Sequence, residues 1–211
     1  MRSWSRSLLA ASVLTVLVGV PSDDAFSSRT EGPAPSVPHP GSRLLARVPL
    51  AFVENAGQWP HAAQFVARFG AMTVLLEERG WWVSVAQTAS APPRRGAALR
   101  MTFVGSGEPV LTGADRLAGV HHYFLGNDPA RWRTDVRRFG AVMYHGLYEG
   151  VDLRAYEKAG HFEYDVLLAP DADLAQVEVR VEGADSLRID TDGALVIDTA
   201  VGPVRQPRPR T

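Results

Sequence analysis

Residues 139–170 read FGAVMYHGLYEGVDLRAYEKAGHFEYDVLLAP. This spacing restricts the chain more than any other stretch does. Val142, Tyr144 and Leu147 lead to a break at Glu149-Gly150. Val151, Leu153, Ala155 and Tyr156 form a second run, which Lys158-Ala159-Gly160 ends. Phe162, Tyr164, Val166 and Leu168 form a third, alternating with Glu163, Asp165 and Leu167. Side chains on a strand point to opposite faces in turn, so a period of two marks strands with one buried face. The spacing predicts three antiparallel strands, the last two joined by a loop of three residues or slightly more.

The same pattern extends in both directions. Upstream, Phe65, Ala67 and Phe69, then Met72, Val74 and Leu76, then Trp81 to Val85 read as a meander, with turns at Gly70 and Glu78-Arg79-Gly80. Leu99, Met101 and Phe103 give another strand. Val110-Leu111 and residues 119–125 are shorter candidates. Asp128 before Pro129 predicts one capped helical turn. Downstream, Val177, Val179 and Val181 alternate. Leu187 and Ile189 then face Leu195 and Ile197 across Asp192-Gly193, a pair suited to the positive φ of a tight hairpin. Residues 205–210 (RQPRPR) show no core position. The expectation is an all-β fold, an antiparallel β-sandwich or barrel-like sheet of about a dozen short strands.

Segmentation follows from composition. Arg2 and Arg6 precede an uncharged apolar run over residues 8–20, too short to span a bilayer comfortably and placed as a secretory signal is. Residues 26–45 carry Pro33, Pro35, Pro38 and Pro40 among serines and have few apolar residues to bury. The expected organisation is a signal peptide over 1–25, a disordered Pro/Ser-rich linker over 26–45, the β-domain over 46–204 and a disordered tail over 205–211. No second apolar run is long enough for a membrane span. The chain has no cysteine, which removes disulfides, thiolate metal sites and cysteine nucleophiles. A formal net charge of -1 without a basic stripe argues against nucleic acid as a partner.

Candidate chemistry is sparse. His121 and His122 are adjacent, so on a strand they point apart and do not share a metal easily. Glu163 and Asp165 share one strand face, with Asp152 and Glu157 nearby. A glycosidase needs two such carboxylates across a cleft, but a solvated face, or carboxylates paired with Arg154 or Lys158, is the favoured reading. Asp152 also suits the amides of the Glu149-Gly150 turn. Asp171 with Asp173, and Asp190 with Asp192, resemble fragments of calcium loops without the remaining ligands, which leaves a weak calcium site open. No Gly-x-Ser-x-Gly elbow is present, and Gly105-Ser106-Gly107 opens no helix. No catalytic, cofactor or metal residue is assigned. In Trp81-Trp82 one ring should face in and one out. The surface expected to make contacts is Trp81, Trp82 and Trp132.

Several landmarks recur together: Phe52-Val53-Glu54-Asn55-Ala56-Gly57-Gln58, then Tyr123-Phe124-Leu125-Gly126-Asn127-Asp128-Pro129 with Trp132. Residues 144–153, Phe162-Glu163-Tyr164-Asp165-Val166, Ala169-Pro170, Gly183-Ala184 and Asp192-Gly193-Ala194-Leu195 follow. In order and spacing the chain resembles the uncharacterised N-terminal β-domain (DUF7948-like) of bacterial extracellular proteins with seven-bladed β-propeller-type (SBBP) repeats. The resemblance implies a secreted or cell-surface module and brings no catalytic residues. The functional expectation is a non-catalytic exported structural or interaction module, partnered by protein or glycan at the cell surface. One alternative is a carbohydrate-binding module or weak glycan-active enzyme using exposed aromatics and carboxylates. The other is a truncated fragment of a larger repeat protein, since relatives run on past Val204 into repeats.

Overall fold

The computed structural model describes residues 51–59, 61–86 and 95–210, and the backbone of Leu9–Val16. The linker expected over 26–45 and most of the leader lie outside the described residues. The strands are β1 (Leu9–Val16), β2 (Phe52–Glu54), β3 (Phe65–Phe69), β4 (Met72–Glu77), β5 (Gly80–Ala86), β6 (Gly96–Val104), β7 (Val110–Arg116), β8 (His121–Tyr123), β9 (Arg133–Val136) and β10 (Arg138–Tyr148). After these come β11 (Val151–Lys158), β12 (His161–Leu168), β13 (Glu178–Glu182), β14 (Ser186–Ile189), β15 (Leu195–Asp198) and β16 (Val204–Gln206). The fold is all-β, as the alternation predicts.

One curled antiparallel sheet dominates. Its order is β1-β12-β11-β10-β2-β3-β4-β5-β6-β13, with β7 also paired to β10. A three-stranded sheet, β14-β15-β16, and a two-stranded one, β8-β9, complete the sheets of the described residues. The sheet buries one face by curling into a half-barrel, which brings β5 and β6 against β10 and β12. Trp81, only 1% exposed, lies at that junction. Its ring meets Phe103, Phe162 and Tyr164 edge-on at centroid distances of 5.2, 5.6 and 4.8 Å. Tilted aromatic pairs of this kind add to the gain from area burial. Two tyrosine hydroxyls drawn into the core are satisfied. The Tyr144 hydroxyl donates to the Gly80 carbonyl at 3.1 Å, and the Tyr148 hydroxyl to the Val104 carbonyl at 2.9 Å.

The central hairpins form where the spacing predicts, with three differences. The β11–β12 loop has two residues, Ala159 and Gly160, because Lys158 pairs with His161. Both loop residues have positive φ, as a two-residue hairpin requires, and alanine at the first position hides that signal in the sequence. Asp152 accepts from the Gly146 amide at 2.8 Å rather than from the Glu149-Gly150 turn. The pairing of β10 with β11 shifts register between Tyr144 and Tyr148, and this bulge puts Gly146 within reach.

The chain end departs further from expectation. Residues 205 and 206 belong to β16 rather than to a tail, and Gln206 is buried. A three-residue strand with a polar inward residue, followed by Pro207, has no apolar period to read. Leu187 and Ile189 form β14 as expected but are exposed. The backbone of β1, drawn from the apolar run read as a leader, lies antiparallel along β12, with Leu9 opposite Leu168 and Val16 opposite Phe162.

The two adjacent tryptophans should therefore differ sharply. Trp81→Ala removes the ring at the junction and should cost about 3–5 kcal/mol. Trp82 is half-buried and faces the other way, with the Arg100 guanidinium 5.3 Å from its ring centre. Trp82→Ala should cost only about 1 kcal/mol. Urea unfolding of both variants checks this; equal losses would contradict the inward placement of Trp81.

Candidate functional site

The apolar surface that most needs explaining lies at β8-β9. Phe124 is 60%, Leu125 45% and Trp132 38% exposed. Phe124 and Trp132 meet edge-on at 5.2 Å, and the His122 ring stacks on Phe124 at 6.2 Å. Backbone bonds and turns fix this platform from below. Asp128 caps a short 3-10 turn, Pro129–Arg131, accepting from the Ala130 amide at 3.0 Å. Trp132 Nε1 donates to the Gly126 carbonyl at 3.1 Å, which pins the indole. Arg133 donates to the carbonyls of Ala130 and Trp132, each at 2.9 Å, and to that of Ala56 at 3.0 Å.

That last bond joins the platform to residues 55–63. Asn55 organises this loop. Its Nδ2 donates to the carbonyls of Trp59 and Ala63 at 3.1 and 2.9 Å, and its Oδ1 accepts from the Gly57 amide at 3.1 Å. Gln58, also buried, accepts from the Ala56 amide and donates to the Glu54 carbonyl. Glu54 clasps the segment leading into β10: Arg137 donates to it from its backbone amide at 2.9 Å and from Nε at 2.8 Å. The hydrogen bonds from Arg137 hold the Glu54 carboxyl below its ordinary range against the opposing effect of burial. Trp59 then packs edge-on against Tyr123 at 5.4 Å. The two landmark stretches, 52–58 and 123–132, thus form one lobe.

Of the three tryptophans expected at a contact surface, only Trp132 belongs to this platform. Trp81 is at the core junction and leaves the candidate surface altogether. Trp82 lies on the outer face of β5 under Arg100. Phe124 and Leu125 were missed, because a non-repeating loop gives no periodicity from which exposure can be read.

The titratable candidates disperse into separate structural roles. His121 Nδ1 lies 3.4 Å from the Tyr123 hydroxyl, and His122 Nδ1 accepts from the Asp135 amide at 3.2 Å. Burial moves the His121 ring below its usual titration range, with Arg138 and His122 adding to the effect. His145 bridges Thr112 and Asp152. Asp190 and Asp192 both accept from Arg205, so a guanidinium already occupies that pair of carboxylates. Asp173 caps the 3-10 turn Leu174–Gln176. Glu163 and Asp165 do converge: both lie against the Tyr156 hydroxyl, at 3.2 and 3.0 Å. Glu163 is only 5% exposed, although it is on the outer side of β12. Burial and these two carboxylates raise the Tyr156 hydroxyl far above its ordinary range. Among the described residues, no group of three or more His, Cys, Asp or Glu side chains is placed to hold a metal ion, and no helix is long and apolar enough to cross a membrane.

A family model described as a domain of unknown function (DUF7948) matches residues 52–211, from the first residue of β2 through β16. The chain belongs to this family. The match places β16 inside the DUF7948 domain and β1 before it. Nothing matches among curated proteins or among solved structures.

Two outcomes follow for the DUF7948 lobe. Asn55→Ala should destabilise the domain by about 1–3 kcal/mol, because several loop carbonyls and amides lose their partner at once. Amide exchange should rise in residues 55–63 before it rises in β10. Glu54 has a depressed folded pKa, so its contribution is complete above the ordinary carboxylate range and is lost as the pH falls through the folded value. Glu54→Gln should therefore cost about 1 kcal/mol at neutral pH, and the difference from wild type should vanish in acid. Denaturant midpoints measured across pH check the sign; a gap that widened in acid would refute it.

Proposed function

We propose that this domain is a non-catalytic, exported interaction module of a secreted or cell-surface protein, and that it docks a partner protein through Phe124, Leu125 and Trp132. The observation that carries the reading is the form of the platform. Large apolar side chains stand in solvent on a base held by capped turns and an arginine clamp, a costly arrangement unless something covers it. Arg131, next to Trp132 in the chain, is exposed and in no ion pair among the described residues. It fits a partner with an apolar centre and an acidic contact at that edge. Export rests on Arg2, Arg6 and the apolar run over residues 8–20. A place ahead of SBBP-type repeats belongs to the same proposal and rests on the landmark motifs.

The carbohydrate alternative fits less well. Phe124 and Trp132 are at 86° to each other, so they present an edge and a face rather than a flat stacking surface. The paired carboxylates Glu163 and Asp165 are on β12, against Tyr156 of β11, not on the β8-β9 lobe.

Two measurements test the proposal. A photo-crosslinking residue at position 124, in cells that export the full chain, should give one discrete protein adduct that is absent when the probe sits on β14 at position 188. Thermal unfolding should be cooperative and unmoved by calcium or a glycan panel. A glycan-dependent rise in Tm that Trp132→Ala abolishes would replace protein docking with carbohydrate binding. Absence of any adduct from position 124 would remove the platform's assigned role.

A further inference from the structure

The ladder between β8 and β9 is irregular. His121 pairs with Val136 and Tyr123 with Arg133, and the register shifts between these pairs. One residue of β8, His122, therefore stands opposite two of β9, Thr134 and Asp135. This is a β-bulge, and Asp135 takes a positive φ of 58° within it. A bulge leaves a backbone group without its cross-strand partner. Here that group is the Asp135 amide, and the His122 side chain fills the gap: Nδ1 accepts from the amide at 3.2 Å.

This bond fixes the tautomer. A ring nitrogen that accepts carries no proton, so the proton of the neutral imidazole is on Nε2. The ring plane is fixed as well, because it stacks on Phe124 at 6.2 Å and 14°. His122 is exposed, and its Nε2 has no partner among the described residues. The other N–H of the platform is already used, since Trp132 Nε1 donates to the Gly126 carbonyl. His122 thus holds an oriented, unspent donor beside the exposed rings. The charged and titratable groups of this lobe are His121 on the same strand, Arg133 and Asp135 on β9, Asp128 and Arg131 at the turn, and Arg138 of β10, which acts on His121. No carboxylate bonds to the His122 ring among the described residues. Protonation of Nδ1 would set one N–H against another, so the bond to Asp135 holds the neutral form only.

We infer that His122 is the polar specificity determinant of the docking platform, donating from Nε2 to a neutral carbonyl oxygen of the partner protein. The inference rests on the docking reading. A carbonyl, from backbone or an amide side chain, suits a neutral N–H donor and leaves the Asp135 bond in place. A lysine or arginine at that point would set donor against donor. A single directed hydrogen bond beside an apolar patch fixes the register of docking, which rings alone leave free to slide.

Two arms test this on the full chain. Long-range proton–nitrogen NMR correlation of the free chain should show His122 protonated at Nε2 near neutral pH; a proton on Nδ1 would overturn the assignment. The second arm places a photo-crosslinking residue at position 125 in exporting cells, which leaves Phe124 and Trp132 intact. His122→Asn keeps an acceptor near the position of Nδ1 and removes the outward donor. The discrete adduct should then fall about five-fold, the scale of one net hydrogen bond, while the Asp135 amide stays protected from exchange. His122→Gln keeps an outward donor and should retain most of the adduct. Adduct undiminished in His122→Asn would overturn the inference and leave docking standing. No adduct in wild type would remove docking itself and this contact with it. Should His122→Asn expose the Asp135 amide or fail to fold, the decision passes to His122→Gln: retained adduct supports the donor role, and its loss overturns it.

Discussion

A sheet has two faces, and this chain has no long helix among its described elements to cover either of them. The solution is to curl the sheet until it covers itself, which works only if residues near its two ends meet. Trp81 on β5 and Phe162 with Tyr164 on β12 make that meeting. Phe162 reaches on to Phe52 and Phe69 on β2 and β3, at 6.3 and 5.9 Å, so a single ring joins three parts of the sheet. Chain closure over such sequence separations is entropically expensive, and large aromatic rings return the most burial per residue fixed. The hydroxyls of Tyr144 and Tyr148 extend the same closure. Each reaches a backbone carbonyl on the facing part of the sheet, so a polar atom is buried without being orphaned.

Curling also determines where the fold is imperfect. A half-barrel must be plugged, and the plug here is made of the shortest elements, a single 3-10 turn and strands of three or four residues. Short elements present few side chains at fixed positions, and they fill the seam less completely than a long strand would. A cavity of about 250 Å³ between β6, β12 and β13 lies at this plug. The opposite outcome holds at β8-β9, where Asn55, Gln58, Glu54 and Arg133 stitch irregular backbone tightly. There the polar network ties the backbone together beneath rings that face solvent.

The parts of this arrangement that sequence could reveal are those with a period. Phe162, Tyr164 and Val166, or Met72, Val74 and Leu76, declare a buried face because every second residue is apolar. Asp128-Pro129 declared its capped turn by chemistry alone. Residues whose burial comes from distant chain left no mark. Phe52 pairs with Phe139, 87 positions away, and nothing local to either announces the other. Gln206 is a buried polar residue between Arg205 and Pro207, and Glu163 is a buried carboxylate on the polar phase of an alternating strand, so the pattern reads both as surface. Trp81 and Trp82 show both cases: alternation said that one ring must be inside, but only the curl of the sheet says which.

Charge distribution separates what this domain uses for itself from what it leaves free. Several of its carboxylates and guanidiniums are spent on one another: Arg205 on Asp190 and Asp192, Arg137 on Glu54, Arg154 on Asp115. Glu163 and Asp165 come nearest to an acid–base pair, yet both compete for the single proton of the Tyr156 hydroxyl, and Lys158 approaches Glu163 at 3.8 Å. A general acid and base must instead flank a space that a substrate can enter. The platform stands apart from these pairs: Phe124, Leu125 and Trp132 are exposed beside Arg131, which is in no ion pair among the described residues. The docking proposal rests on that combination, not on any single residue.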